Sequence, residues 1–174
     1  MALQIGQTAP GFTLEAVVGK EFKKVSLADY KGKWVVLFFY PLDFTFVCPT
    51  EIQEFSKRSG EFKKAGAQIL GASIDSHFTH LAWINNGLGE LTFPLLADLT
   101  KQVSRAYDVL NEDTGHTFRG TYLIDPEGKV QYILKHATGI GRSVDEILRS
   151  LQALQTGELC PVGWKPGDKT LTKK

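Results

Sequence analysis

Cysteine is scarce in this chain, with two among 174 residues, Cys48 and Cys160. Two are too few for the disulfide framework of a small secreted scaffold. They are also not arranged as the Cys-x-x-Cys of a thioredoxin-type dithiol. A structural zinc site needs further ligands, and His77, His80, His116 and His136 show no zinc-finger spacing. These histidines read as surface or structural groups, and no metal is expected. Excess charge is lacking too: 20 basic and 19 acidic residues leave a net +1, which gives no electrostatic case for nucleic acid. The longest apolar run, residues 34–42, is nine residues broken by Pro41, against about 20 for a bilayer-crossing helix. No membrane contact is expected. Residues 1–7 hold no basic stretch followed by an apolar one, so a secretory signal is not read and the expected location is cytoplasmic. No repeat, low-complexity tract or Gly/Ser linker divides the chain, so one main domain is expected. No nucleotide-binding glycine pattern is present, and no cofactor is expected.

What is present alternates between strand and helix patterns. Residues 33–40 are rich in valine and aromatics and read as a strand buried on both faces. Residues 22–25 form a shorter strand. The chain then turns through residues 41–45, and a helix begins near Cys48-Pro49, since proline is tolerated in a first turn. Ile52, Phe55 and Phe62 share its apolar face. Residues 67–74 read as a strand and 77–86 as a helix capped by Ser76. Val103, Ala106 and Tyr107 belong to a helix after Thr100. Residues 121–124 and 130–134 form a hairpin across Asp125-Pro126-Glu127-Gly128. Ser143-Val144-Asp145-Glu146 is a capping box. It opens an amphipathic helix with Val144, Ile147, Leu148, Leu151 and Leu154 inward, ended by Gly157. This order suggests an α/β protein with a mixed sheet. The charged end from Asp168 to Lys174 reads as solvated and disordered.

Cys48 carries the chemistry. It sits between the strand and the helix in Pro41-Leu42-Asp43-Phe44-Thr45-Phe46-Val47-Cys48-Pro49. The thiolate is the nucleophilic form of cysteine, and a helix N-terminus offers free N–H groups and a positive dipole end to an anion. Nucleophilicity falls as a thiol becomes more acidic, so a fast enzyme also needs donors fixed where charge develops. Thr45, three residues before the thiol, supplies a hydroxyl, and Pro41 narrows the turn. Arg119, in Thr117-Phe118-Arg119-Gly120-Thr121, is the candidate cation, which spacing alone does not establish. Against this stands the ordinary role of a lone cysteine as a small buried hydrophobe.

Together these segments resemble the typical two-cysteine peroxiredoxins, the group that includes the bacterial alkyl hydroperoxide reductase peroxidase subunit. Residues 38–51 hold the complete Pro-x-x-x-Thr-x-x-Cys pattern. Residues 119–128 and 157–164 match two further motifs in the right order, and residues 5–12 match the family's start. The resemblance spans about residues 5 to 168. It implies a thioredoxin-like fold, a central mixed sheet flanked by helices, with a peroxiredoxin-type extension. The division is a domain over 1–156 and a C-terminal tail over 157–174.

The resemblance also implies roles. Cys48 attacks peroxide and becomes a sulfenic acid. Thr45 and Arg119 hold the peroxide, Pro41 shields the site and Glu51 orients the arginine network. Cys160, from the partner subunit, resolves the sulfenic acid as a disulfide after the first turn of the Cys48 helix unwinds. The implied substrates are hydrogen peroxide and alkyl hydroperoxides. The implied reductant is a thioredoxin or a flavoprotein reductase system. The implied assembly is a homodimer that builds a decamer through the region of Thr79 and Trp83. Asn86-Gly87-Leu88-Gly89 departs at Asn86 from the Gly-Gly-Leu-Gly element of peroxide-sensitive members. Their Tyr-Phe pair also has no match after Trp164 in these residues, so resistance to overoxidation is expected. Two other readings compete: a thiol–disulfide oxidoreductase, and a ring-forming holdase chaperone or peroxide sensor.

Overall fold

The apolar run after Lys33 becomes the middle of a sheet in the computed structural model, which describes residues 2–171. The chain divides into two units, Met1–Arg142 and Ser143–Lys174.

The first unit holds a seven-stranded sheet in the order β2-β1-β5-β4-β3-β6-β7. Its strands are β1 (Thr13–Val18), β2 (Glu21–Ser26), β3 (Trp34–Phe39), β4 (Ala67–Ser73), β5 (Leu95–Ala97), β6 (Arg119–Ile124) and β7 (Val130–His136). β3 runs parallel to β4 and antiparallel to β6, so the sheet is mixed. Val35 to Phe39 are all buried, as a continuous apolar strand requires. Removing each such side chain from water stabilises the fold by about 1.5–3 kcal/mol before entropy is counted. Two strands escape the sequence pattern. β5 is three residues after Pro94, too short to show a period. β1 is interrupted by Glu15, whose half-exposed carboxylate pairs with Lys24 on β2 at 3.6 Å.

Parallel neighbours need a crossover, and that between β3 and β4 carries the thiol. The single helix expected here is two: α1 (Cys48–Lys57) and α2 (Ser59–Lys64). The break is at Arg58, with φ −97° and ψ 6°. Phe62 therefore lies on α2, yet it still joins the apolar layer. Phe38 stacks on Phe55 at 4.5 Å, and Phe55 meets Phe62 at 5.9 Å.

The helix after Ser76 is also shorter than expected. α3 (His77–Trp83) passes into a wide turn over Ile84–Leu88, where Asn86 and Gly87 leave helical geometry. Ser76 does cap it, accepting from Thr79 N at 3.1 Å. α4 (Gln102–Ala106) follows Thr100, but its orphan donors are met by Asp98. The Asp98 carboxylate accepts from Val103 N at 3.2 Å and Ser104 N at 2.6 Å. The β6–β7 hairpin forms as expected. Asp125 Oδ1 accepts from Glu127 N and Lys129 N, and Gly128 takes the left-handed φ of +83° that the turn demands.

The second unit opens with α5 (Val144–Thr156). Ser143 accepts from Glu146 N at 3.2 Å. The reciprocal half of the expected box is replaced, because the Glu146 carboxylate binds Arg149 and Ser150. Gly157 ends the helix in the left-handed region. The expectation of a disordered end from Asp168 is corrected over 168–171. Leu171 N donates to Leu159 O at 2.7 Å, and Trp164 Nε1 donates to Asp168 O at 3.1 Å. Residues 172–174 of that expected tail lie outside the described residues. Among the described residues, no helix is long and apolar enough to cross a membrane.

Candidate active site

Cys48 is the first residue of α1 and is 1% exposed. No side chain caps this helix; Val47 O accepts from Thr50 N at 3.1 Å instead. The thiol has two polar neighbours from opposite directions along the chain. Thr45 Oγ1 lies 3.0 Å from Cys48 Sγ, and Arg119 Nη1 lies 3.5 Å from it.

The Thr45 hydroxyl is also 2.8 Å from Leu42 O. A hydroxyl has one proton and a carbonyl only accepts. With a neutral thiol, the S–H donates to Thr45 Oγ1 and the hydroxyl donates to Leu42 O. With a thiolate, the hydroxyl turns to the sulfur. The Thr45 proton is therefore a rotor whose direction follows the charge on Cys48.

Arg119 is held rather than merely near. It is 3% exposed at the start of β6, inside the strand rather than just before it. Its Nε donates to Thr138 O at 2.8 Å and its Nη1 to Glu51 Oε2 at 2.6 Å. Glu51 lies on the first turn of α1, three residues after the thiol, and is itself 3% exposed. Pro41 is buried at the opening of the turn that leads to Thr45.

Sequence reasoning missed Arg142. It follows β7 in Gly139-Ile140-Gly141-Arg142, and no local pattern marks it. Its side chain is fully buried. Its N, Nε and Nη2 donate to the Glu51 carboxylate at 2.7, 2.9 and 3.0 Å. Nη1 donates to Gly120 O and Nη2 to Phe39 O, both at 2.7 Å, and the guanidinium covers the Phe38 ring at 5.1 Å. The only sequence signal is a cation in a glycine-flanked coil. Two buried cations thus converge on one buried anion. Burial alone raises the Glu51 carboxyl, but the charge and bonds of Arg142, then Arg119, hold it below its ordinary range.

α1 has one tie to the turn after α3: Gln53 Nε2 donates to Leu88 O at 3.0 Å. Asn86, the residue at the departing position of that element, donates from Nδ2 to Ala82 O at 2.7 Å.

The first unit thus gathers Cys48, Thr45, Arg119 and Glu51. Cys160 belongs to the second unit, past the end of α5, and is half-buried. Its Sγ has Thr156 Oγ1 at 3.5 Å and Ala153 O at 3.8 Å, contacts weak enough to release easily. Both cysteines are free. His80, read as surface or structural, is a buried structural group bonded to Asp43.

The AhpC/TSA family model matches residues 5–133, and that of the C-terminal domain of 1-Cys peroxiredoxin matches residues 153–174. Peroxiredoxin-2 of Mus musculus is 55% identical over 177 residues, covering 97% of this chain and 89% of its own length. The chloroplastic 2-Cys peroxiredoxin BAS1 of Spinacia oleracea is 54% identical over 177 residues, covering 96% of this chain and 67% of its own. Among solved structures, the reduced 2-Cys peroxiredoxin of Plasmodium vivax superposes with a TM-score of 0.93 at 44% identity, covering 95% of this chain and 91% of that one. Mycobacterium tuberculosis AhpC gives 0.86 at 44% identity, covering 95% and 100%.

Proposed function

Because the chain belongs to the AhpC/TSA family and is a peroxiredoxin, a thiol peroxidase acting on peroxides, we propose that its attacking sulfur is Cys48. The thioredoxin-like sheet of that family supplies the frame. One observation carries the reading: Cys48 Sγ lies within 3.0 Å of a hydroxyl and 3.5 Å of a guanidinium that is fixed to a buried carboxylate.

The Cys48 thiolate attacks the nearer oxygen of a hydroperoxide. The S–O bond forms as the O–O bond breaks, and the sulfur loses two electrons to the departing alkoxide or hydroxide. Arg119 and the Thr45 hydroxyl meet the peroxide oxygens where this charge develops. A proton then completes the alcohol or water. Pro41 keeps the turn closed over the thiolate, and Glu51 with Arg142 holds Arg119 in place. The product is the Cys48 sulfenic acid.

Cys160 of the partner subunit next attacks that sulfenic sulfur and expels water, leaving an intersubunit disulfide. The weak contacts of Cys160 suit a thiol that must move, carried on the segment that follows α5. The first turn of α1 must open for this step, a local unfolding that has no side-chain cap to break but must release Cys48 from Thr45 and Arg119 while Glu51 stays tied to its two arginines. A protein dithiol, thioredoxin or a flavoprotein disulfide reductase, returns the two electrons. We place this cycle in the cytoplasm, with hydrogen peroxide and alkyl hydroperoxides as substrates. Assembly is a homodimer that builds a decamer. An exposed aromatic cluster at α3 suits such a contact: Phe22 meets His77 at 4.7 Å and Phe78 at 5.2 Å.

The test is rapid-mixing consumption of hydrogen peroxide by the reduced protein beside Cys48→Ser. Fast consumption that vanishes in the variant is expected. Wild-type consumption no faster than a free thiol's would overturn the proposal.

A further inference from the structure

Behind Thr45 lies a buried polar cluster that the mechanism above does not use. Asp43, 7% exposed, is held at three atoms by three elements. Its Oδ1 accepts from the Tyr40 hydroxyl at the end of β3, at 2.7 Å. Its Oδ2 faces His80 Nδ1 of α3, also at 2.7 Å. Its backbone N–H donates to the Asp75 carboxylate beyond β4, at 3.0 Å. Ser73 Oγ donates to that same Asp75 oxygen at 2.7 Å. The far nitrogen of His80, Nε2, lies 3.0 Å from Leu96 O on β5.

The proton count in this cluster is fixed by chemistry. A carbonyl only accepts, so His80 Nε2 carries a proton. A carboxylate oxygen at 2.7 Å from Nδ1 requires a second proton between them. Burial outweighs the pull of His80 on the Asp43 carboxyl and raises it above its ordinary range. Tyr40 stays a donor, since burial and the Asp43 charge push its phenol well up.

The next residue shows what this anchoring resists. Phe44 takes a left-handed φ of 55°, a conformation that persists in a bulky residue only when its neighbours impose it. Its ring rests on Trp83 at 5.7 Å. The residue after this bend is Thr45.

We propose that Asp43, clamped by His80, Tyr40 and Asp75, is a positioning residue for peroxide reduction that fixes the Phe44 bend and so aims the Thr45 hydroxyl at Cys48. This rests on the assignment of Cys48 and Thr45 given above. Asp43 touches neither sulfur nor substrate and acts through Thr45 alone. A misplacement of about 1 Å costs on the order of 100-fold in rate, and loosening one side of a bend costs part of that.

The experiment is the second-order rate of hydrogen peroxide consumption by the full reduced chain. Asp43→Ala, Asp43→Asn and Asp75→Ala are each measured alone and combined with Thr45→Val. Asp43→Ala is expected to slow the reaction roughly tenfold with Thr45 present and less than about twofold combined with Thr45→Val. Asp43→Asn is expected within about threefold of wild type. Its carbonyl accepts from Tyr40 and its amide donates to His80 Nδ1, so every bond is kept without the shared proton. Equal losses from Asp43→Ala in both backgrounds, no loss at all, or an Asp43→Asn variant as slow as Asp43→Ala would overturn the proposal. If Asp43→Ala does not fold, Asp75→Ala removes the backbone anchor of Asp43 and the acceptor of Ser73 while keeping the Tyr40 and His80 bonds, and the same dependence on Thr45 decides. Thr45→Val at the wild-type rate, or peroxide consumption surviving Cys48→Ser, would instead overturn the assignment beneath it.

Discussion

Replacing Glu51 by glutamine separates what the buried charge cluster contributes to stability from what it contributes to rate. Glu51 accepts four hydrogen bonds: one from Arg119 at 2.6 Å and three from Arg142 at 2.7, 2.9 and 3.0 Å. Glutamine keeps one acceptor oxygen and turns an NH2 toward guanidinium donors. Both arginines then sit buried without an anion. Removing one partner of a buried ion pair costs about 3–5 kcal/mol, so E51Q should be destabilised by that amount in urea unfolding of the reduced protein. Protomer concentration must be matched, because assembly stabilises the folded state by mass action. The pH dependence carries its own signature. The Glu51 carboxyl is depressed in the folded state, so it stabilises the fold above its unfolded pKa of about 4.3. That contribution fades as pH falls through the folded value. Wild type should lose this share below about pH 4.3, and E51Q should lack that slope. Arg119 keeps its Thr138 O anchor at 2.8 Å, so its aim is loosened rather than lost. The peroxide rate should fall about 10- to 100-fold, less than the roughly 100- to 1000-fold that one lost oxyanion donor costs. Stability within about 1 kcal/mol of wild type together with an unchanged rate would refute the cluster's proposed role.

Other expectations concern single contacts. Thr45→Val keeps the side-chain shape but removes the rotor between Leu42 O and Cys48 Sγ. Stopped-flow peroxide consumption should fall about 10- to 100-fold, with Thr45→Ser recovering most of it. Cys160→Ser should leave the first oxidation at the wild-type rate while abolishing the disulfide-linked dimer on non-reducing gels; a surviving dimer band, which could only be a Cys48–Cys48 bridge, would refute Cys160 as the resolving thiol. Gly71→Ala on β4 drives a methyl to 2.8 Å from Phe38 Cζ and 3.1 Å from Leu95 Cδ1. That overpacking should lower stability by about 1–3 kcal/mol in urea titration.

Much of the site was legible because its parts are neighbours along the chain. Pro41, Thr45, Cys48 and Glu51 fall within eleven residues, and a strand, a turn and one helical turn bring them together. Glu51 follows Cys48 by three positions, so helical spacing puts both on the same turn. Arg119 is different: 71 residues separate it from Cys48, so the residues made it a candidate cation and only the family pattern gave it a role. Arg142 gave no sign, because a cation in a glycine-flanked coil reads like any surface arginine. The split of α1 from α2 was hidden for a related reason, since Ile52, Phe55 and Phe62 keep facing the core across the break at Arg58.

The central strand, the hairpin, the helix that starts at Cys48 and the choice of Cys48 as the candidate thiol can all be read from local order along the chain. Backbone preferences, caps and turn chemistry act over a few residues and are written in order along the chain. Long-range packing sets which cations share Glu51 and how Asp43 is held. Those groups meet because burying the strands on either side of β3 brings residues 119 and 142 onto α1 and residue 80 onto the turn before Thr45. Once buried there, each charge must find a partner or destabilise the fold, and the partner comes from whichever distant segment the packed sheet has placed within reach.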